Sequence, residues 1–124
     1  MATDDTAMER KSVTEESELP SRLRDLLMDL PDAAVPITYQ QAAEALGLTP
    51  PGTIQRVALA LEALMHEDVA AGRPLIAALV VSRRGDLPRQ GFFELAVALG
   101  RFPATPARHE AAYRQELERL MAER

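Results

Sequence analysis

The sequence predicts a mainly α-helical fold with a small β component. Apolar residues recur at helical spacing in several segments of this 124-residue chain. Residues 36–67 combine a short periodic segment, a turn rich in Gly and Pro, and a longer periodic segment. The run "PLIAALVV" (74–81) is apolar and rich in the residues that favour strands. A chain of this length suits one domain with a single core.

The N-terminal region divides into a tail and the start of a domain. Residues 1–17 are polar and charged without periodicity, so we predict a disordered acidic tail. Residues 18–124 are expected to form a single domain. Ser17 is a candidate N-cap for a first helix, whose leucines follow at helical spacing. The stretch "AVPIT" (34–38) predicts a short strand, because the residue before a proline is biased towards extended backbone.

The next two helices have explicit start and stop signals. Thr38 and Gln41 form a T-x-x-Q pattern, which predicts a capping box. Gly47 is placed to end that short helix in the left-handed conformation. A longer helix is predicted from about Thr53 to Gly72. A short helix, a glycine-containing turn and a longer helix are typical of a helix-turn-helix.

The C-terminal half supplies a strand, a loop and two helices. Residues 74–83 predict a strand buried on both faces, and "SRRGDLPRQG" (82–91) predicts a loop. Helical spacing resumes in "FFELAVALG" (92–100), where one of the two adjacent phenylalanines should face inward. An amphipathic helix is predicted over 107–123. Its apolar stripe either closes the core or forms the seam of a homodimer.

This order of elements predicts a winged-helix-like domain, a helix-turn-helix plus short strands with flanking N- and C-terminal helices. In a winged helix the long helix enters the major groove and a following hairpin rests on the DNA backbone. The charge distribution permits such a partner, although the net charge is −5. Residues 73–108 carry a net +4, whereas residues 1–19 and 20–72 each carry −4. One basic segment of this kind suits a local phosphate contact.

Two surfaces are candidates for contact with nucleic acid. The first is the N-terminal end of the long helix. The second is the predicted loop of residues 82–91, which we call the basic loop; the guanidinium groups of its arginines match the geometry of phosphate groups. With the tyrosine that starts the short helix, the predicted nucleic-acid-binding residues are Tyr39, Thr53, Gln55, Arg56, Arg83, Arg84 and Arg89. Ordinary solvation or ion pairing is the alternative for the arginines. For Tyr39 the alternative is a core position with its hydroxyl bonded to backbone.

The sequence offers no enzyme site. Without cysteine there is no thiolate metal site, disulfide or cysteine nucleophile. His66 and His109 are isolated, and no P-loop or G-x-G-x-x-G pattern occurs, so we expect neither metal nor cofactor. A triad of Ser82, Asp86 and His66 has no supporting glycine pattern. The longest apolar run is too short for a bilayer, and no secretory signal is recognisable, so a cytoplasmic location without a membrane partner is expected.

One resemblance is to a DNA-repair family. The segments "ITYQQAAEALG", "RVALAL" and "PLIAALVVSRRGDLPRQGFF" resemble the winged-helix DNA-binding domain of alkylguanine-DNA alkyltransferases and their alkyltransferase-like relatives, over about residues 35–93. The resemblance implies that Tyr39 faces a phosphate and that Arg56 approximates the base-flipping arginine. The family's Pro-Cys-His-Arg site falls around Ile76 to Leu79, where this chain has "IAAL". The alkyl acceptor is absent, which excludes alkyl transfer.

A second resemblance covers residues 72–96. "GRPLIAALVVSRRGDLPRQGFFELA" is similar to a pattern in small bacterial proteins without assigned function. It implies a shared architecture in which Gly91, Phe92 and Phe93 fix the junction between loop and helix. It implies no reaction.

Together these features favour a non-enzymatic nucleic-acid-binding or regulatory module with double-stranded DNA as partner. The main alternative is a protein-interaction or accessory module on the same scaffold, and an enzyme is a third. DNA binding requires Arg56, Arg83, Arg84 and Arg89 on one face. Protein interaction predicts that those arginines are paired with acids and that an apolar patch lies elsewhere.

Overall fold

The computed structural model describes residues 17–84 and 86–124. This part of the chain is mainly helical with a small two-stranded sheet, which confirms the predicted fold class at that level. The helices are α1 (17–29), α2 (Tyr39–Ala45), α3 (Thr53–Ala71), α4 (Gln90–Ala98) and α5 (His109–Glu123). Short 3₁₀ turns occupy Asp32–Ala34, Ile76–Leu79 and Pro106–Arg108. The strands are β1 (Ile37–Thr38) and β2 (Val80–Val81).

The predicted tail falls almost wholly outside the described residues. Only Ser17 of that segment is described, and it already lies within α1 rather than before it. The predicted N-cap role of Ser17 therefore does not match the structure. Leu19, Leu23 and Leu27 of α1 are buried at the predicted helical spacing.

The local signals around α2 are confirmed. The Thr38 hydroxyl accepts a hydrogen bond from the Gln41 amide at 3.1 Å, and the Thr38 amide donates to Gln41 Oε1 at 2.9 Å. This reciprocal capping box satisfies two amides that the helix itself leaves free. At the other end Gly47 has φ +73°. The amide of Leu48 then donates to the carbonyl of Ala43, which closes the helix.

α3 also has the predicted limits. It begins after Gly52 and ends at Gly72, both in the left-handed conformation. One face packs into the core through Val57, Leu61 and Leu64, which are at most 4% exposed. α2, a turn and α3 follow one another in the predicted order.

The predicted strand over residues 74–83 is largely wrong. Residues 75–81 are buried, but only Val80–Val81 is strand, and Ile76–Leu79 forms a 3₁₀ turn. A continuous apolar run indicates burial without fixing backbone conformation. Pro36 also limits the partner strand, since it has no amide to donate and α2 starts at Tyr39.

The sheet pairs β1 with β2 in parallel, with Ile37 opposite Val80 and Thr38 opposite Val81. Within residues 17–84 and 86–124 no antiparallel hairpin follows β2, unlike the expected wing. A loop follows instead, closed by a hydrogen bond of 2.8 Å from the amide of Ser82 to the carbonyl of Leu87.

A buried carboxylate joins α1 and α3 to the segment after α3. Asp68 is fully buried. Its Oδ1 accepts from Arg24 Nη1 at 2.9 Å and from Arg73 Nε at 3.1 Å. Its Oδ2 accepts from the backbone amide of Ile76 at 3.0 Å. The buried charge is therefore both paired and hydrogen-bonded, as burial requires.

A second buried carboxylate holds the same segment from α5. Glu116 is 7% exposed, and its Oε2 accepts from the amide of Leu75 and from Arg101 Nη1, both at 2.8 Å. Arg101 Nη1 also donates to the carbonyl of Arg73 at 2.8 Å. We call this arrangement the carboxylate clasp; its members are Asp68, Glu116, Arg24, Arg73 and Arg101. It fixes the chain where it leaves α3 and enters the core.

α5 closes the core over the 3₁₀ turn. Tyr113 is 1% exposed, and its hydroxyl donates to the carbonyl of Ala78 at 2.8 Å. Leu120 is buried, while Leu117 and Met121 are half-buried against the core. The apolar stripe of α5 thus packs inward, as the core-closing interpretation predicted.

Removing one carboxylate of the clasp should strongly destabilise the fold. Asp68→Ala removes the buried carboxylate that accepts from Arg24 and from the amide of Ile76, and breaking a buried ion pair typically costs about 3–5 kcal/mol. Glu67→Ala removes a neighbouring, half-exposed acid and should cost under about 1 kcal/mol. Urea unfolding of both variants measures the difference. Equal losses for the two variants would contradict the role given to Asp68.

Candidate nucleic-acid interface

A groove lies between α3 and the start of α4, with a volume of about 280 Å³. Apolar, polar and charged side chains all contribute to its lining. Three of the seven predicted site residues line it, namely Tyr39, Gln55 and Arg89. α2, α3 and the segment after the basic loop therefore meet at one surface.

Tyr39 links α2 to the start of α4. It is 7% exposed, and its hydroxyl accepts a hydrogen bond of 3.1 Å from the amide of Arg89. The Arg89 guanidinium lies 5.7 Å from the centre of the tyrosine ring, within the range of a cation–π contact. Tyr39 thus occupies the core position with a backbone contact that the sequence analysis gave as the alternative to phosphate contact.

The start of α3 presents the other predicted residues. Gln55 is exposed, whereas Thr53 and Arg56 are half-buried. Gly52, the N-cap, offers no side-chain acceptor to the first-turn amides. Those amides carry the positive end of the helix dipole. Leu59, one turn further on, is 54% exposed, so the outer face of α3 is partly apolar.

The basic loop places Arg83 and Arg84 in solvent. Among the residues that the structure describes, no carboxylate pairs with Arg83, Arg84 or Arg89. The loop ends at α4, so Arg89 connects it to the groove. The ion pairing that the protein-interaction interpretation predicted is therefore not seen for these three arginines.

The acids of α3 do not all face solvent. α3 carries three acids beyond its first turn, Glu62, Glu67 and Asp68, and each would repel phosphate groups if it faced solvent. Asp68 is instead buried in the carboxylate clasp. Glu62 is half-buried and lines the groove, and Glu67 is exposed. Two acids rather than three therefore oppose a polyanion along this helix.

Two contributors to the groove are not predicted from the sequence. Gln90 and Phe92 line it from the first turn of α4. The sequence predicts one loop over residues 82–91, so it does not place Gln90 on a helix opposite α3. Phe92 is buried, whereas Phe93 is half-buried, as the adjacency of two phenylalanines predicted. No local signal indicates that α4 packs beside α3.

The histidines lie in ordinary structural or solvent positions. His66 is exposed. His109 Nε2 lies 2.9 Å from the carbonyl of Pro103, and its ring stacks on Phe93 at 5.4 Å. Across residues 17–84 and 86–124 no group of three or more His, Cys, Asp or Glu is placed to hold a metal ion. No helix in the same residues is long and apolar enough to cross a membrane.

Comparison of the chain with models of protein families, with curated proteins and with solved structures finds no match. Both resemblances drawn from the sequence therefore stay expectations.

Burial should shift the ionisation of both tyrosines of the chain to higher pH. It raises the pKa of Tyr39 above its usual value of 10.0, against smaller opposing effects of Arg89, and raises the pKa of Tyr113 to about 12. A folded pKa above the unfolded one stabilises the fold at pH values below 10, and this contribution is lost as pH rises towards 12.

Ultraviolet titration of tyrosinate tests this expectation. The chain has two tyrosines, so the folded signal should rise at higher pH than the signal in urea. Unfolding free energy should fall over the same interval. Superimposable titration curves for folded and unfolded protein would show that neither hydroxyl is shielded.

Proposed function

We propose that this protein is a non-enzymatic DNA-binding or regulatory module of winged-helix-like type. The basic loop, through Arg83, Arg84 and Arg89, contacts phosphates of double-stranded DNA. The N-terminal end of α3, with Thr53, Gln55 and Arg56, faces the major groove. The observation that carries the proposal is the set of loop arginines without carboxylate partners in the described residues.

The geometry around Tyr39 supports this proposal. Its hydroxyl holds the amide of Arg89, and its ring lies under the Arg89 guanidinium. The last arginine of the loop is thereby anchored to α2, the first helix of the helix-turn-helix. Because the loop is already held in place, it would lose less conformational entropy when DNA binds.

The loop takes the place of a wing in this proposal. β2 leads directly into it, and the hydrogen bond from the Ser82 amide to the Leu87 carbonyl closes the part that carries Arg83 and Arg84. Phosphate contacts position a protein on DNA without reading its sequence. The loop would therefore orient the module, and side chains of α3 such as Gln55 would contact base edges.

The resemblance to alkyltransferase DNA-binding domains points in the same direction. It assigns a base-flipping position to Arg56. The phosphate-facing position that it assigns to Tyr39 does not agree with the structure, where the Tyr39 hydroxyl is buried and bonded to the Arg89 amide. In the structure Ile76–Leu79, where that family has its acceptor, is a buried apolar turn. The chain has no cysteine, so the proposed module binds DNA without transferring an alkyl group.

A protein-interaction module is the second candidate. Leu59 is exposed on α3, and a shallow depression of about 610 Å³ lies beside α4 with Leu87, Phe93 and Val97 in its lining. Exposed apolar surface of this kind can serve a protein partner. A homodimer through α5 has less support, because the apolar stripe of that helix packs inward.

A salt-dependent titration tests DNA binding. Fluorescence anisotropy of a labelled mixed-sequence duplex should show binding that weakens by orders of magnitude between about 50 and 200 mM salt. Arg83→Ala/Arg84→Ala should weaken binding and lower the slope of log K against log salt by about 2, because each lost phosphate contact lowers it by about 0.9.

Arg108→Ala/Arg114→Ala is the matched control. It removes the same charge from exposed positions at the start of α5. We expect the control to keep both the affinity and the salt slope. Equal losses in the two double variants would indicate a general charge effect and contradict a contact by the loop. No binding at low salt would reject DNA as the partner and favour the second candidate.

A further inference from the structure

A second cavity, of about 260 Å³, lies where α1, the segment after α3 and the end of α5 meet. It shares no lining residue with the groove beside α4. Apolar side chains form much of its wall, from Met28, Pro74, Ile76 and Leu120. Such a cavity, apolar with a few charged groups, is typical of small-molecule sites.

Three arginines and two acids line this cavity. Asp68 is shared by Arg24 and Arg73. Glu123 is paired with Arg119, outside the lining, at 3.2 Å. The third arginine, Arg124, donates to the carbonyls of Leu27 and Leu30 at the end of α1 and lies 3.6 Å from Asp32. Arg73 is therefore the lining arginine whose charge is balanced only by the shared Asp68.

Arg73 retains donors for a ligand. Its Nε bonds to Asp68 at 3.1 Å, and no hydrogen bond of the described residues uses its terminal side-chain nitrogens. Its side chain is 52% exposed. The two terminal nitrogens of a guanidinium form a fork that matches the geometry of a carboxylate.

Arg24 has a buried donor without an acceptor. Its Nη1 bonds to Asp68, but Nη2 has no hydrogen-bond partner in the described part of the chain. A Glu67 oxygen lies 3.9 Å from Nη2, beyond hydrogen-bond distance. Buried donors of folded proteins nearly always have an acceptor. The arginine pair therefore has donor capacity that the chain itself does not use.

Met28 adds an exposed apolar side chain to the same cavity. It is 49% exposed, and it lies four residues after Arg24, on the same face of α1. Methionine side chains adapt readily to apolar surfaces. An exposed methionine beside buried Ile76 and Leu120 suits contact with a hydrocarbon chain.

We propose that this cavity binds a small organic carboxylate with an unbranched apolar chain. The carboxylate contacts Arg73, and a rotation of the Arg24 guanidinium brings Nη2 to it. The chain lies on Ile76 and Leu120 beside Met28. At ~30 Å³ for each water-sized unit, the volume accommodates about eight or nine non-hydrogen atoms, the size of hexanoate.

The test separates the charged head from the apolar chain. Side-chain NMR spectra of the full chain follow the methyl groups of Met28 and Ile76 during titration with hexanoate, acetate or 1-hexanol. Hexanoate should give saturable shifts, with an affinity at least tenfold higher than either other compound. Linear, unsaturated shifts with hexanoate, or an equal affinity for 1-hexanol, would overturn the proposal.

Variants locate the site. Arg73→Gln and Arg24→Lys should each weaken hexanoate binding about tenfold, since both remove fork donors while keeping a polar group beside Asp68. Met28→Glu should weaken it as strongly by repelling the carboxylate. Leu59→Glu, at another exposed large hydrophobic residue, is the matched control and should leave binding unchanged. Thermal unfolding verifies that each variant is folded. Unchanged affinity in both folded arginine variants would exclude this cavity.

Discussion

Two buried carboxylates hold successive backbone amides at the point where the chain leaves α3. Asp68 accepts from Ile76, and Glu116 accepts from Leu75. Hydrogen bonds to charged groups contribute about 1.5–3 kcal/mol each, more than neutral ones. Leu75 and Ile76 are at most 2% exposed, so loss of either acceptor would leave a buried donor unsatisfied.

The position of the candidate interface follows from this clasp. The segment it holds becomes the 3₁₀ turn and then β2, which pairs with β1. β1 ends at Thr38, the residue that caps α2. α2 begins with Tyr39, whose hydroxyl holds the amide of Arg89. A continuous series of contacts therefore connects the carboxylates to the end of the basic loop.

The helices could be predicted from sequence because their signals are local. The capping box at Thr38 and the glycine stops at Gly47 and Gly72 depend on residues only a few positions apart. The predicted strand was mostly wrong because the 3₁₀ turn depends on acceptors distant in sequence. Glu116 lies 41 residues after Leu75, the residue whose amide it binds.

The sequence contains a weak indication that Asp68 and Glu116 are buried. Asp68 follows Leu61, Leu64 and Met65 at helical spacing, so it lies on the apolar face of α3. Glu116 lies on the buried face of α5, between Tyr113 and Leu120. An acid at an apolar-face position indicates a buried partner, but the spacing does not identify that partner. Arg24, which pairs with Asp68, is on a different helix.

The same limit applies to the candidate interface. The sequence identified Tyr39, Gln55 and Arg89, which line one groove. It did not identify Gln90, because the packing of α4 beside α3 depends on contacts between distant segments. Local patterns indicated the residue types of the surface, and only the tertiary structure determined which of them meet.

Amide hydrogen exchange in Glu116→Gln tests most directly whether the clasp positions the interface. The substitution keeps the side-chain shape and removes the charge that holds Leu75 and Arg101. We predict that exchange at the amides of both Leu75 and Arg89 accelerates by a larger factor than exchange in the middle of α3. Faster exchange at Leu75 with no change at Arg89 would contradict the account, because the loop would then be positioned independently of the clasp.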